Sequence, residues 1–175
     1  MQNKSRSGSG RQPCRTDPSP THVVSLSGTS KGLLKNNKTG DILAYVGGEN
    51  SGKKVAIECK FDKSIKLGDV DSLDIASNKY DTAWSQLLET TVNRGANTSI
   101  IVFDKTLADA SIQRAVDGVS YIDNIGFICI IDYEASDYHN LAIAYNFARR
   151  LALRKDGKNI EVDFVNMLIQ RLLKD

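Results

Sequence analysis

Asp41, Glu58 and Lys60 are the residues whose types and spacing could do chemistry. Glu58 and Lys60 are two apart, so in a strand they project from one face while Cys59 projects from the other. They close a β-prone run, KVAIECKF, over residues 54–61. Asp41 opens an earlier one, DILAYV, over residues 41–46. The intervening GGENSGK, residues 47–53, is turn chemistry, so the two runs read as a β-hairpin. A turn centred near Asn50 sets Asp41 opposite the Cys59–Lys60 end and brings both carboxylates to one end of a sheet. Two carboxylates plus a backbone carbonyl suit a hard, oxygen-seeking cation such as Mg²⁺ or Mn²⁺. Such an ion can polarise a phosphodiester and activate a water. A lysine beside it can orient the water or balance charge in the transition state. The bland alternative is a surface Glu58–Lys60 ion pair, worth little energetically. Against it stands the apolar run VAIEC, because a charged pair ending a buried strand needs compensation.

The elements around this hairpin predict an α/β domain with a mixed sheet. His22 to Ser27 is a short apolar stretch. Ala83, Trp84, Leu87, Leu88 and Thr91 fall at helical spacing between about Tyr80 and Arg94. Asn93, Gly95 and Asn97 end that helix. SIIVF, residues 99–103, and GFICIIDY, residues 126–133, are continuous apolar runs of the kind expected in strands covered on both faces. Further helices are expected over residues 107–117, 138–155 and 161–174. Strands alternating with helices favour an α/β fold.

Composition sets the bounds. The chain has 175 residues, enough for one domain with a real core. Residues 1–21 hold Lys4, Arg6, Arg11 and Arg15 against Asp17, with almost no apolar side chains. They read as a disordered basic tail, either a solvated leader or a phosphate-binding arm. Residues 22–175 read as a single folded domain. No apolar run approaches the roughly 18 residues that span a bilayer, and the N-terminus lacks a secretory apolar core. Cys14, Cys59 and Cys129 read as free thiols in a reducing, cytoplasmic setting. With His22 and His139 they do not supply the paired spacing of a zinc site.

Gly40-Asp41, followed after a hairpin by Ile57-Glu58-Cys59-Lys60, resembles the PD-(D/E)XK nuclease superfamily, over roughly residues 35–135. The resemblance implies a restriction-endonuclease-like core, a mixed sheet with a central hairpin flanked by helices. It implies a Mg²⁺- or Mn²⁺-dependent nuclease acting on nucleic acid, with DNA the expected substrate and nucleoid or nucleus the setting. Asp41, Glu58 and the Cys59 carbonyl would be metal ligands, and Lys60 the catalytic lysine. Gly40 stands where the pattern has proline, and no glutamate precedes Glu49. Some branches carry Gln-x-x-x-Tyr on the following helix. Here Gln86 is followed by Thr90, so Gln86 is a further candidate, the alternative being an exposed helix polar. A second expectation is a nuclease-fold module that binds nucleic acid or a protein partner without cutting.

Other signals carry less. GGENSGK fits part of a phosphate-binding loop, but Lys54 follows instead of Ser or Thr, and a strand follows instead of a helix. Asp69, Asp71 and Asp74 lack the glycine and glutamate of a calcium loop. Arg149, Arg150, Arg154 and Lys155 suit a helix C-terminus or a DNA backbone. The wide apolar face of the last helix could cap the sheet or form a homodimer interface.

Overall fold

HVVS forms a first short strand, β1 (His22–Ser25), in a computed structural model that describes residues 22–26, 30–47, 51–68, 81–154 and 162–174. The hairpin follows as β2 (Ile42–Val46) and β3 (Lys53–Lys60). Next come α1 (Ala83–Arg94), β4 (Thr98–Asp104), α2 (Ala110–Ala115), β5 (Val119–Ile122) and β6 (Gly126–Ile131). Two helices, α3 (His139–Leu153) and α4 (Val162–Leu172), complete the order. The basic tail, Cys14, Tyr80, Lys155 and the acids Asp69, Asp71 and Asp74 lie outside the described residues.

The sheet is mixed and six-stranded, in the order β1-β2-β3-β4-β6-β5. β3, β4 and β6 are parallel neighbours, while β1–β2, β2–β3 and β5–β6 pair antiparallel. The expected α/β class is therefore observed. Two strands were not expected. β1 and β5 have four residues each, too few for periodicity to declare them.

The sheet is covered on both faces, as the continuous apolar runs require. Val55 and Ile57 of β3 join Ile100, Val102, Phe127 and Cys129 under α3 and α4. Ile101, Phe103 and Ile128 point the other way, against Ala83 and Leu87 of α1 and Ile112 of α2. By strand alternation Glu58 and Lys60 share this second face. On α4, Val165 and Ile169 enter the core, and the Asn166 amide bonds the Tyr121 N–H at 2.9 Å and its carbonyl at 3.2 Å. α4 thus caps the sheet at β5, while Met167 and Leu172 stay exposed. No described helix is long and apolar enough to cross a membrane.

α1 corrects one expectation. Its C-terminal end is as read, while it starts at Ala83, later than expected. Thr82 and Ser85 form a reciprocal cap, and Gly95 closes the helix in the left-handed region at φ 55°. Its face is not. The buried residues are Ala83, Gln86, Leu87, Thr90, Asn93 and Arg94, whereas Trp84 and Leu88 are only half-buried. The helix is rolled toward its polar side, because Asn93 and Arg94 hydrogen-bond the segment before Asp41.

Candidate functional site

Glu58 is 5% exposed, and its carboxylate is engaged on both oxygens. One accepts the Gly40 N–H; the other meets the Lys60 ammonium at 2.6 Å. The pair is therefore largely buried, and the surface ion pair of the bland alternative is not what forms. Asp41 lies just before β2. Its N–H donates to Ile57 O at 2.9 Å, and its carboxylate accepts the Cys59 N–H at 2.8 Å. The ladder register ends at Ile42↔Ile57, and past it these two bonds set Asp41 against residues 57–59 of β3. Asp41, Glu58, Cys59 and Lys60 all come together at one end of the hairpin.

The segment carrying Asp41 is held by the last turn of α1. Arg94 is 7% exposed and donates to three backbone carbonyls. They are Gly40 O at 3.0 Å, Ser30 O at 3.0 Å and Lys38 O at 2.9 Å. Asn93 donates to Thr39 O at 2.9 Å and accepts from the Leu34 N–H at 3.0 Å. Gly40 has φ +92°, and a Cβ there would lie 2.7 Å from Cγ and Nε of Arg94. Proline cannot occupy that conformation, and it has no N–H for Glu58. The glycine at this position thus has a local cause. Sequence reasoning missed Arg94 and Asn93, which read as ordinary helix-end residues. The available signal was the row Gln86, Thr90, Arg94, spaced by four along one helix face.

Gln86 is not an exposed helix polar. It is 4% exposed, on the α1 face that covers β3 and β4. Its Oε1, and Oγ1 of the fully buried Thr90, have no hydrogen-bond partner among the described residues. The Cys59 thiol points to the opposite face, into the core under α3. Burial, and then the Asp41 and Glu58 carboxylates, push it up to about 11, with Lys60 opposing. Its backbone is what faces the site. The N–H and C=O of a strand residue lie on one flank, so the Cys59 carbonyl, like its N–H, is on the Asp41 side.

Two carboxylates and one carbonyl are all-oxygen donors, which suits Mg²⁺ or Mn²⁺ over zinc. Among the described residues, no three or more His, Cys, Asp or Glu side chains form a cage for a metal. Just past Lys60, the exposed Phe61 meets the exposed Tyr133 edge to face, with ring centres 5.5 Å apart. Comparison of the chain with protein-family models, with curated proteins and with solved structures returns no match.

Proposed function

We propose that this chain is a Mg²⁺- or Mn²⁺-dependent nuclease of the PD-(D/E)XK type, hydrolysing phosphodiester bonds of DNA on a restriction-endonuclease-like core. One observation carries the reading: Asp41, Glu58 and Lys60 converge at one end of a hairpin inside a mixed sheet. The cation, held by Asp41, Glu58 and the Cys59 carbonyl, would supply polarisation of the phosphate and a water acidified for attack. Gly40 fixes one Glu58 oxygen, and the Cys59 N–H orients Asp41. Lys60, positioned by Glu58, brings a positive charge to where negative charge develops. The free thiols Cys59 and Cys129 accord with a reducing intracellular setting.

The test is cleavage of duplex and single-stranded DNA, with RNA alongside, with and without chelator. Wild type cleaves with Mg²⁺ or Mn²⁺; Asp41→Ala and Lys60→Ala, checked for folding, do not. Robust cleavage by both folded variants sinks the reading. The direct Glu58–Lys60 pairing favours a second one. A nuclease-fold module that binds nucleic acid or a protein partner without cutting can leave that carboxylate committed to lysine. Calorimetric titration with Mg²⁺ separates the two, since only the nuclease must bind it.

A further inference from the structure

The carboxyl ends of the parallel strands meet at one edge of the sheet. The registers Lys60↔Phe103 and Asp104↔Ile131 bring β3, β4 and β6 to a common end. In open α/β sheets, ligands bind outside the carboxyl ends of the strands. Two features flank the Asp41, Glu58 and Lys60 site along this edge, and the proposed chemistry uses neither.

On the β6 side are two aromatic rings in water. Phe61 follows Lys60 directly and is 45% exposed, and Tyr133 is 59% exposed. Their ring planes stand at 74°, edge to face. The turn that carries Tyr133 is fixed. The buried Asp104 accepts the Tyr133 N–H at 2.9 Å, Asp132 and Asp137 exchange two backbone bonds, and Tyr133 O accepts the Ser136 N–H at 3.1 Å. Carboxylates around the rings are engaged within the chain. Asp62 accepts the Ser64 N–H at 2.9 Å, Asp132 meets Lys105, and Asp137 accepts the His139 N–H at 3.0 Å. Single exposed apolar side chains are ordinary, but two ordered together at a sheet edge mark a contact surface.

On the β2 side is the loop of residues 30–40, which reaches the site where the Gly40 N–H meets Glu58. Lys31, Lys35 and Lys38 are exposed, and among the described residues none of them forms an ion pair. Asn93 and Arg94 anchor the loop backbone at Leu34, Lys38, Thr39 and Gly40, so the lysines extend from a fixed base.

We infer that this edge takes an unpaired strand of nucleic acid, its phosphates on Lys31, Lys35 and Lys38 and a base stacked at the Phe61–Tyr133 corner. Three lysines answer the anionic backbone, and aromatic faces take bases of any sequence. In a duplex the bases are already stacked on one another and reach such rings only when flipped out. From β2 to β6 is about 15 Å at roughly 4.8 Å per strand, so one short stretch of strand spans from the loop across the site to the rings. The inference rests on the site's taking nucleic acid, and it names the form taken.

The test uses the full chain without divalent cation. Fluorescein-labelled oligothymidylate and a duplex of the same length are the probes, read by fluorescence anisotropy. Wild type is expected to bind the single strand roughly tenfold more tightly than the duplex, the scale of one stacked base. Phe61→Ala combined with Tyr133→Ala is expected to lose about that factor on the single strand and little on the duplex. Phe61→Tyr and Tyr133→Phe keep the rings and retain wild-type affinity. Lys31→Gln, Lys35→Gln and Lys38→Gln together are expected to flatten the salt dependence by about two, at roughly 0.7 per phosphate contact on a single strand. If the double alanine variant, folded by circular dichroism, binds oligothymidylate as wild type does, or if wild type prefers the duplex, the inference fails. Wild-type cleavage with Mg²⁺, read alongside, tests the nuclease separately. Cutting without dependence of binding on the rings leaves the nuclease standing alone. Ring-dependent binding without cutting upholds the inference and sinks the nuclease. If wild type neither binds nor cuts either probe, both fall.

Discussion

The backbone N–H of Gly40 donates to the buried carboxylate of Glu58, tying the residue before the first acid to the second acid of the site. That bond and φ +92° make the position intolerant of proline. Gly40→Ala is expected to cost about 1–3 kcal/mol, since it imposes backbone strain and crowds Arg94. Gly40→Pro is expected to cost more, because it also removes the donor. Chemical denaturation measures both. A Gly40→Pro protein as stable as wild type contradicts this account of the loop.

Arg94 reaches three carbonyls of the segment that presents Asp41. Arg94→Met leaves buried acceptors without donors, at a cost on the order of 3 kcal/mol. Arg94→Lys is expected to recover only part of that. An ammonium is a compact point charge and does not reproduce the planar fork. Equal denaturation midpoints for Lys and Arg at this position would show that charge, not geometry, holds the segment.

The contrast between hairpin and helix explains what was legible in the sequence. DILAYV and KVAIECKF are long, β-prone and separated by turn residues, so β2, β3 and the Asp41–Glu58 approach could be read from pattern and parity. SIIVF and GFICII declared two doubly covered strands. HVVS and VSYI are too short to signal anything alone, and β5 forms because it pairs with β6 and receives α4. The face of α1 was misread because apolar spacing favours Trp84 and Leu88. Long-range bonds from Asn93 and Arg94 to residues more than 50 positions earlier turn the helix instead. Local pattern carries no record of such bonds, and they gather where a site has to be held.

Glu58 and Lys60 should behave as one unit. Lys60→Met leaves a buried carboxylate without its cation and is expected to destabilise by about 3 kcal/mol. Glu58→Gln combined with Lys60→Met is expected to cost less than the two single changes summed. A double-mutant cycle from urea melts checks this, and strict additivity would mean that the pair is not coupled.

Neither described cysteine should be reactive. Burial first, with the nearby carboxylates adding to it, pushes the Cys59 thiol up to about 11. Burial takes Cys129 to about 12. A raised value means the neutral thiol persists at pH 8, and the thiolate is the nucleophile. In a Cys14→Ser background, iodoacetamide is expected to leave the folded protein unlabelled at pH 8 and to label both thiols in urea. Rapid labelling of Cys59 under native conditions would contradict its burial.

The proposed nuclease requires Asp41 and Glu58 to share one divalent cation. Crystals grown with Mn²⁺ and measured for anomalous scattering address it directly. The account predicts one strong peak bonded to oxygens of both carboxylates, at about 2.0–2.6 Å, the range for hard cations on oxygen. No Mn²⁺ between them, with Glu58 still closed onto Lys60, would contradict it.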